Sequence, residues 1–98
     1  MQIAQTILDQ LGGRRFVVMT GARNLGGTAD SLSFKLPSNT SKNKATHVKV
    51  TLAKDDTYTV EFFRFRGTKG GVIATHTGIY ADLLASLFTE ETGLAVSL

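Results

Sequence analysis

The chain has 98 residues, 42% of them hydrophobic and 19% charged. These values fit one globular domain with a modest core and exclude a disordered chain. Cysteine is absent, which excludes a disulfide framework, a thiolate metal site and a cysteine nucleophile. The formal net charge is +3, but all 11 Lys and Arg lie between Arg14 and Lys69. Only four acids share that window, which therefore nets +7, while the two ends net −4. Such asymmetry predicts one basic surface and one mildly acidic surface.

In chain order, Ile3, Ile7, Leu8 and Leu11 follow helical spacing, and Gly12-Gly13 ends the run. A short N-terminal helix is expected. RRFVVMTG is β-rich and apolar on both faces, which predicts an inner strand. GARNLGGTAD reads as a glycine-rich connection. SLSFKLP alternates, with Leu32, Phe34 and Leu36 on one face, and Pro37 stops it. Residues 38–46 are polar and read as a mobile surface loop. THVKVTLA turns Val48, Val50 and Leu52 inward and His47, Lys49 and Thr51 outward. The Asp55-Asp56-Thr57 turn then makes 47–66 a hairpin.

TKGG is a further turn, and VIATHT a candidate fifth strand. Ile79, Tyr80, Leu83, Leu84, Leu87 and Phe88 form the apolar stripe of a closing helix. Thr77 is its expected N-cap, Asp82 lies in its first turn, and Gly93 is its expected C-cap. LAVSL is expected to dock Leu94, Val96 and Leu98 on the core. Strand runs follow one another without intervening helices, so parallel βαβ units are excluded. The expected architecture is a single α+β domain over 1–98, in the order α-β-β-β-β-(β)-α. Its antiparallel sheet carries two helices packed on one face, and the other face is open to water with Lys35, His47 and Lys49 on it.

YTVEFFRFRG, 58–67, breaks its own alternation. Tyr58, Val60 and Phe62 occupy one parity, and then Phe63 and Phe65 occupy the other, interleaved with Arg64 and Arg66. A β-bulge near Phe62-Phe63 would return Phe63 and Phe65 to the core and turn both arginines to solvent. Each phenylalanine kept dry is worth about 1.5–3 kcal/mol, so the bulge is the preferred reading. The alternative is a strand that displays its aromatics and cations to a ligand, as single-strand-binding surfaces do.

Catalytic motifs are weak. Gly21, Gly26 and Thr28 match three positions of a phosphate loop, but Gly27 stands where its lysine belongs and a strand pattern follows instead of a helix. The dinucleotide-binding βαβ context is missing as well. His47 and His76 have no partner at helical ligand spacing, so neither metal nor cofactor is expected. Asp55-Asp56 is better read as a turn than as a carboxylate pair, because neighbours on a strand point to opposite faces. No nucleophile elbow is present.

The segments LGGRRFVVMTGARN, SLSFKLP, HVKVTLAKDDTYTVEFFRFRG and YADLLASLFTEETGL span nearly all of the chain from Leu11 onward. Their arrangement resembles a family of small bacterial proteins of unknown activity associated with prophages, plasmids and other mobile elements. The resemblance implies a setting of replicating or transferring nucleic acid, and it implies no chemistry.

The combined expectation is a non-enzymatic, nucleic-acid-binding accessory protein of a mobile element with low sequence specificity. Phosphates would meet a basic sheet face through Arg14, Arg15, Arg23, Lys35 and Lys42, and through Lys44, Lys49, Arg64, Arg66 and Lys69. The alternative is a protein-interaction module, such as an inhibitor of a host nucleic-acid enzyme. A homodimer through an unpaired sheet edge is left open. The N-terminus lacks a basic leader and no run is long enough for a membrane span, so a cytoplasmic location is expected.

Overall fold

Ile3, Ala4, Ile7, Leu8 and Leu11 recur at helical spacing and form the inner face of the first helix, α1 (Gln2–Leu11). The computed structural model describes residues 2–37, 42, 44–66 and 69–94. The side chain of Gln5 donates to Asp9 Oδ1 at 3.0 Å, one turn on, along the exposed side of α1. Gly12 and Gly13 both take positive φ, 131° and 61°. This breaks α1 and turns the chain into a second helix.

That second helix, α2 (Gly13–Thr20), stands where a strand was expected. Phe16 and Thr20, four apart, are both buried, whereas Val18 is 73% exposed. The segment therefore has one covered stripe, not two covered faces. The Thr20 hydroxyl donates to the Phe16 carbonyl at 2.7 Å. Gly21, at φ 73°, closes the helix with its N–H on the Val17 carbonyl at 3.0 Å. Val17-Val18 favours strand locally. The helix is only eight residues long, too short for periodicity to decide the matter.

Five strands follow: β1 (Arg23–Gly27), β2 (Ser31–Lys35), β3 (His47–Leu52), β4 (Tyr58–Arg66) and β5 (Lys69–Ile79). They form one antiparallel sheet in the order β1-β2-β3-β4-β5. β1 replaces the expected connection. Its five residues are all exposed and bury no side chain, so backbone pairing with β2 sustains it. After Ile79 the chain makes a 3-10 turn, Ala81–Leu83, and enters the last helix, α3 (Leu84–Thr92). Thr77 is thus inside β5 and caps no helix, and Tyr80 and Leu83 are exposed instead of facing the core. Gly93 at φ 75° does cap α3, with its N–H on the Thr89 carbonyl at 2.7 Å. Leu94 packs against the core. Val96 and Leu98, most of the 38–46 loop, residue 67 and the first residue of the TKGG turn lie outside the described residues.

All three helices cover one face of the sheet. Ile7, Leu11, Phe16, Leu84 and Phe88 meet Leu32, Phe34, Val48, Val50, Val60 and Phe62 in one buried cluster. Phe16, Phe34 and Phe88 form its centre, with ring centroids 5.2, 5.2 and 6.0 Å apart in edge-on or tilted contact. His76 of β5 is joined to Glu91 of α3 by a 2.7 Å hydrogen bond on this side. No helix among the described residues is long and apolar enough to cross a membrane.

The bulge expected in β4 is absent there. β4 pairs with β3 without interruption from Tyr58↔Leu52 to Phe63↔His47. The irregularity at Phe62-Phe63 falls on the opposite strand, where Ile73 is the extra residue between Ala74, paired with Phe62, and Val72, paired with Phe63. Strand alternation therefore runs straight through β4. Phe62 is fully buried, and Phe63 and Phe65 go to the uncovered face. At the hairpin end, Gly70 takes φ 136°, and a β-carbon there would run into the Arg64 carbonyl oxygen. Only glycine fits.

Candidate functional site

The uncovered face is ordered into rows by the sheet register. Arg23, Lys35, His47, Phe63 and Val72 lie opposite one another across the five strands. The next row runs Gly26, Ser33, Lys49, Glu61 and Thr75. Cross-strand partners point to the same side. The first row thus carries two cations at one end and apolar groups at the other, with an imidazole between them. Glu61, opposite Lys49, limits the basic area on the β4 side.

Phe65 extends the apolar end. Its ring stacks on Phe63, centroids 5.7 Å apart and planes 11° from parallel. The His47 ring meets Phe65 edge-on at 5.1 Å. Thr46 holds the three together. Its hydroxyl accepts the Phe65 N–H at 3.0 Å and shares a 2.9 Å hydrogen bond with His47 Nδ1, and its own N–H donates to the Phe63 carbonyl at 2.8 Å. Phe65 stays 42% exposed even so.

Between these rings and β1 lies an open groove of about 220 Å³. Phe63, Phe65 and His47 form one part of its lining, and Asn24, Ser33, Lys35 and Lys49 the polar part. Asn24 reaches its place through a left-handed backbone, φ 54°. Asparagine tolerates that conformation better than other non-glycine residues. Partial burial, and then the nearby Lys35 ammonium, lower the pKa of His47 below its ordinary 6.5. The imidazole is therefore neutral at pH 7.

The ten bases expected to share one sheet face are divided. Lys35 and Lys49 line the groove, and Arg23 pairs with Lys35 on the neighbouring strand. Arg14 and Arg15 belong to α2, in the helix layer on the other side of the sheet, because their segment is a helix and not a strand. Lys42 sits by the end of α3, its N–H on the Thr92 carbonyl at 2.7 Å and its side chain beside Gly93. Lys44 is exposed in the link before β3. Arg64 is half-buried and shares the parity of Phe62, the reverse of the open face, because β4 has no bulge. Arg66 pairs with Lys69 at the end of the β4–β5 hairpin, and the Arg66 side chain lies outside the described residues.

Asn24, Ser33 and Thr46 were not foreseen as part of the site. An asparagine within a glycine-rich run is the signal that could have marked the first. Asp55 is confirmed as a turn residue: its Oδ1 accepts the N–H and hydroxyl of Thr57 at 3.2 and 2.6 Å. No protein-family model, curated protein or solved structure matches this chain.

Proposed function

We propose that the chain is a non-enzymatic nucleic-acid-binding protein that uses the uncovered sheet face. The observation that carries this reading is one row of paired residues in which Arg23 and Lys35 run into His47, Phe63 and the stacked Phe65. Cations meet phosphates, and exposed aromatic rings meet bases. Phosphate contacts and ring stacking read little sequence, so sequence specificity is low. The resemblance of the chain's segments to proteins of prophages and plasmids supports an accessory role on a mobile element. The groove's described lining holds one imidazole and two ammonium groups but no carboxylate, and we read it as a binding surface.

The test is fluorescence anisotropy with labelled oligonucleotides from about 50 to 300 mM salt. Affinity is expected to fall linearly on a log–log plot. Replacing Lys35 and Lys49 together by alanine should lower the slope by about 1.4–1.8, from roughly 0.7–0.9 per phosphate contact. Replacing Arg14 and Arg15 on α2 should leave it nearly unchanged. No binding at the lowest salt rejects the reading.

A second reading, a protein-docking module, draws on the apolar groups that continue the patch. Val72 lies opposite Phe63, and Ile73 is exposed beside it. Its signature is binding to a protein partner that persists at high salt.

A further inference from the structure

We infer that the ligand is specifically single-stranded, and that one unpaired base enters the groove and stacks on Phe65. This rests on the nucleic-acid reading above and adds the form of the ligand and the way it is held. The groove, at about 220 Å³, is below the roughly 300–1,000 Å³ of pockets for drug-sized ligands. It suits a single flat ring system. Phe63, Phe65 and His47 give it aromatic lining, and Asn24, Ser33, Lys35 and Lys49 add polar groups, which suit the faces and the edges of a base.

Phe65 is already placed for this role. Phe63 stacks on it, His47 meets it in an edge-to-face contact, and Thr46 fixes its backbone. A ring held by its neighbours loses little freedom when a base stacks on it. Asn24 and Ser33, in the polar part, offer donor and acceptor groups for a base edge. Lys35 and Lys49 lie between, on adjacent strands, where the flanking phosphates of an extended strand would pass. Neutral His47 adds no fixed positive charge there, so the aromatic end of the row is apolar and the cationic end is distinct from it.

A duplex cannot use this arrangement. Its bases are stacked on one another and only their edges reach the grooves, so Phe65 would meet sugar and phosphate instead. Extracting a base from a duplex costs a few kcal/mol, and one exposed ring does not recover it with a surplus.

The experiment compares three labelled probes at one low salt concentration: a mixed-sequence single strand, the same length of sugar–phosphate strand without bases, and the duplex. Each is titrated with the native protein and with Phe65→Ala. The exposed position of Phe65 keeps the variant folded, checked by circular dichroism. The native protein is expected to prefer the single strand over the duplex, and over the abasic strand, by at least about fivefold. Phe65→Ala should weaken binding of the base-bearing strand by about fivefold to a hundredfold, the range of one stacking contact. It should leave the abasic strand unaffected. Equal affinity for duplex and single strand, or unchanged affinity in the variant, overturns base stacking while salt-sensitive binding through the lysines still stands. No binding to any probe overturns both.

Discussion

His47 joins the two halves of the candidate site, and its ionisation is the most direct residue-level probe. The groups that face it are Lys35 on β2, Phe63 on β4 and Lys49 on its own strand, with Glu61 across from Lys49. Burial and Lys35 lower its pKa in the folded protein. The unfolded chain therefore binds a proton at about pH 6.5 that the folded chain accepts only at lower pH. Above 6.5 both states are neutral at this residue and it contributes nothing. As pH falls below 6.5 the unfolded state gains the proton first, and stability declines until the folded pKa is reached. A proton NMR titration of the His47 ring should give a midpoint below 6.5. Adding an oligonucleotide should raise that midpoint, because phosphates beside Lys35 and Lys49 favour the imidazolium. An unshifted midpoint would detach His47 from the ligand.

At the level of elements, β2, β3, β4 and the two outer helices were legible because alternation or helical spacing was sustained over enough residues. Leu32/Phe34, Val48/Val50 and Tyr58/Val60/Phe62 each announce a buried face, and the turn at Asp55 announces their pairing. α2 was not legible, since Phe16-Val17-Val18 satisfies both periods. β1 was invisible because a strand that buries nothing leaves no hydrophobic pattern. The site suffered for the same reasons. Its lysines could be placed from alternation, but Phe63 and Phe65 depended on which strand carried the bulge, and the extra residue is Ile73 of β5. Substitution at Val18 separates the two readings of α2. On a helix with this residue 73% exposed, Val18→Lys should change unfolding free energy by no more than about 0.5 kcal/mol. In an inner strand the buried ammonium would cost several kcal/mol. Urea denaturation distinguishes them.

For the whole molecule, the helix layer and the sheet meet at Phe16, Phe34 and Phe88, which come from α2, β2 and α3. Among the described residues no other cluster of rings links elements so far apart in sequence. Phe88→Ala should therefore cost about 3–5 kcal/mol, a large share of the ~5–15 kcal/mol that holds a domain of this kind. The loss should appear as a lower denaturation midpoint. Binding by the uncovered face should be retained in whatever fraction stays folded, since Phe88 lies on the opposite side of the sheet. A variant that keeps its midpoint would remove the triad from the centre of the core.

The strand order has a consequence for how the chain acquires this structure. Every strand pairs with the one made just before it, so during synthesis each hairpin can close as soon as its second half leaves the ribosome. The sheet need not wait for distant chain. The aromatic triad must wait, because Phe88 is made more than fifty residues after Phe34. Until it arrives, Phe16 and Phe34 have lost one of their covers. The nascent chain then exposes additional apolar surface on the helix side, away from the side that is proposed to bind. Closure by α3 is thus the step that ends its exposure to unwanted partners.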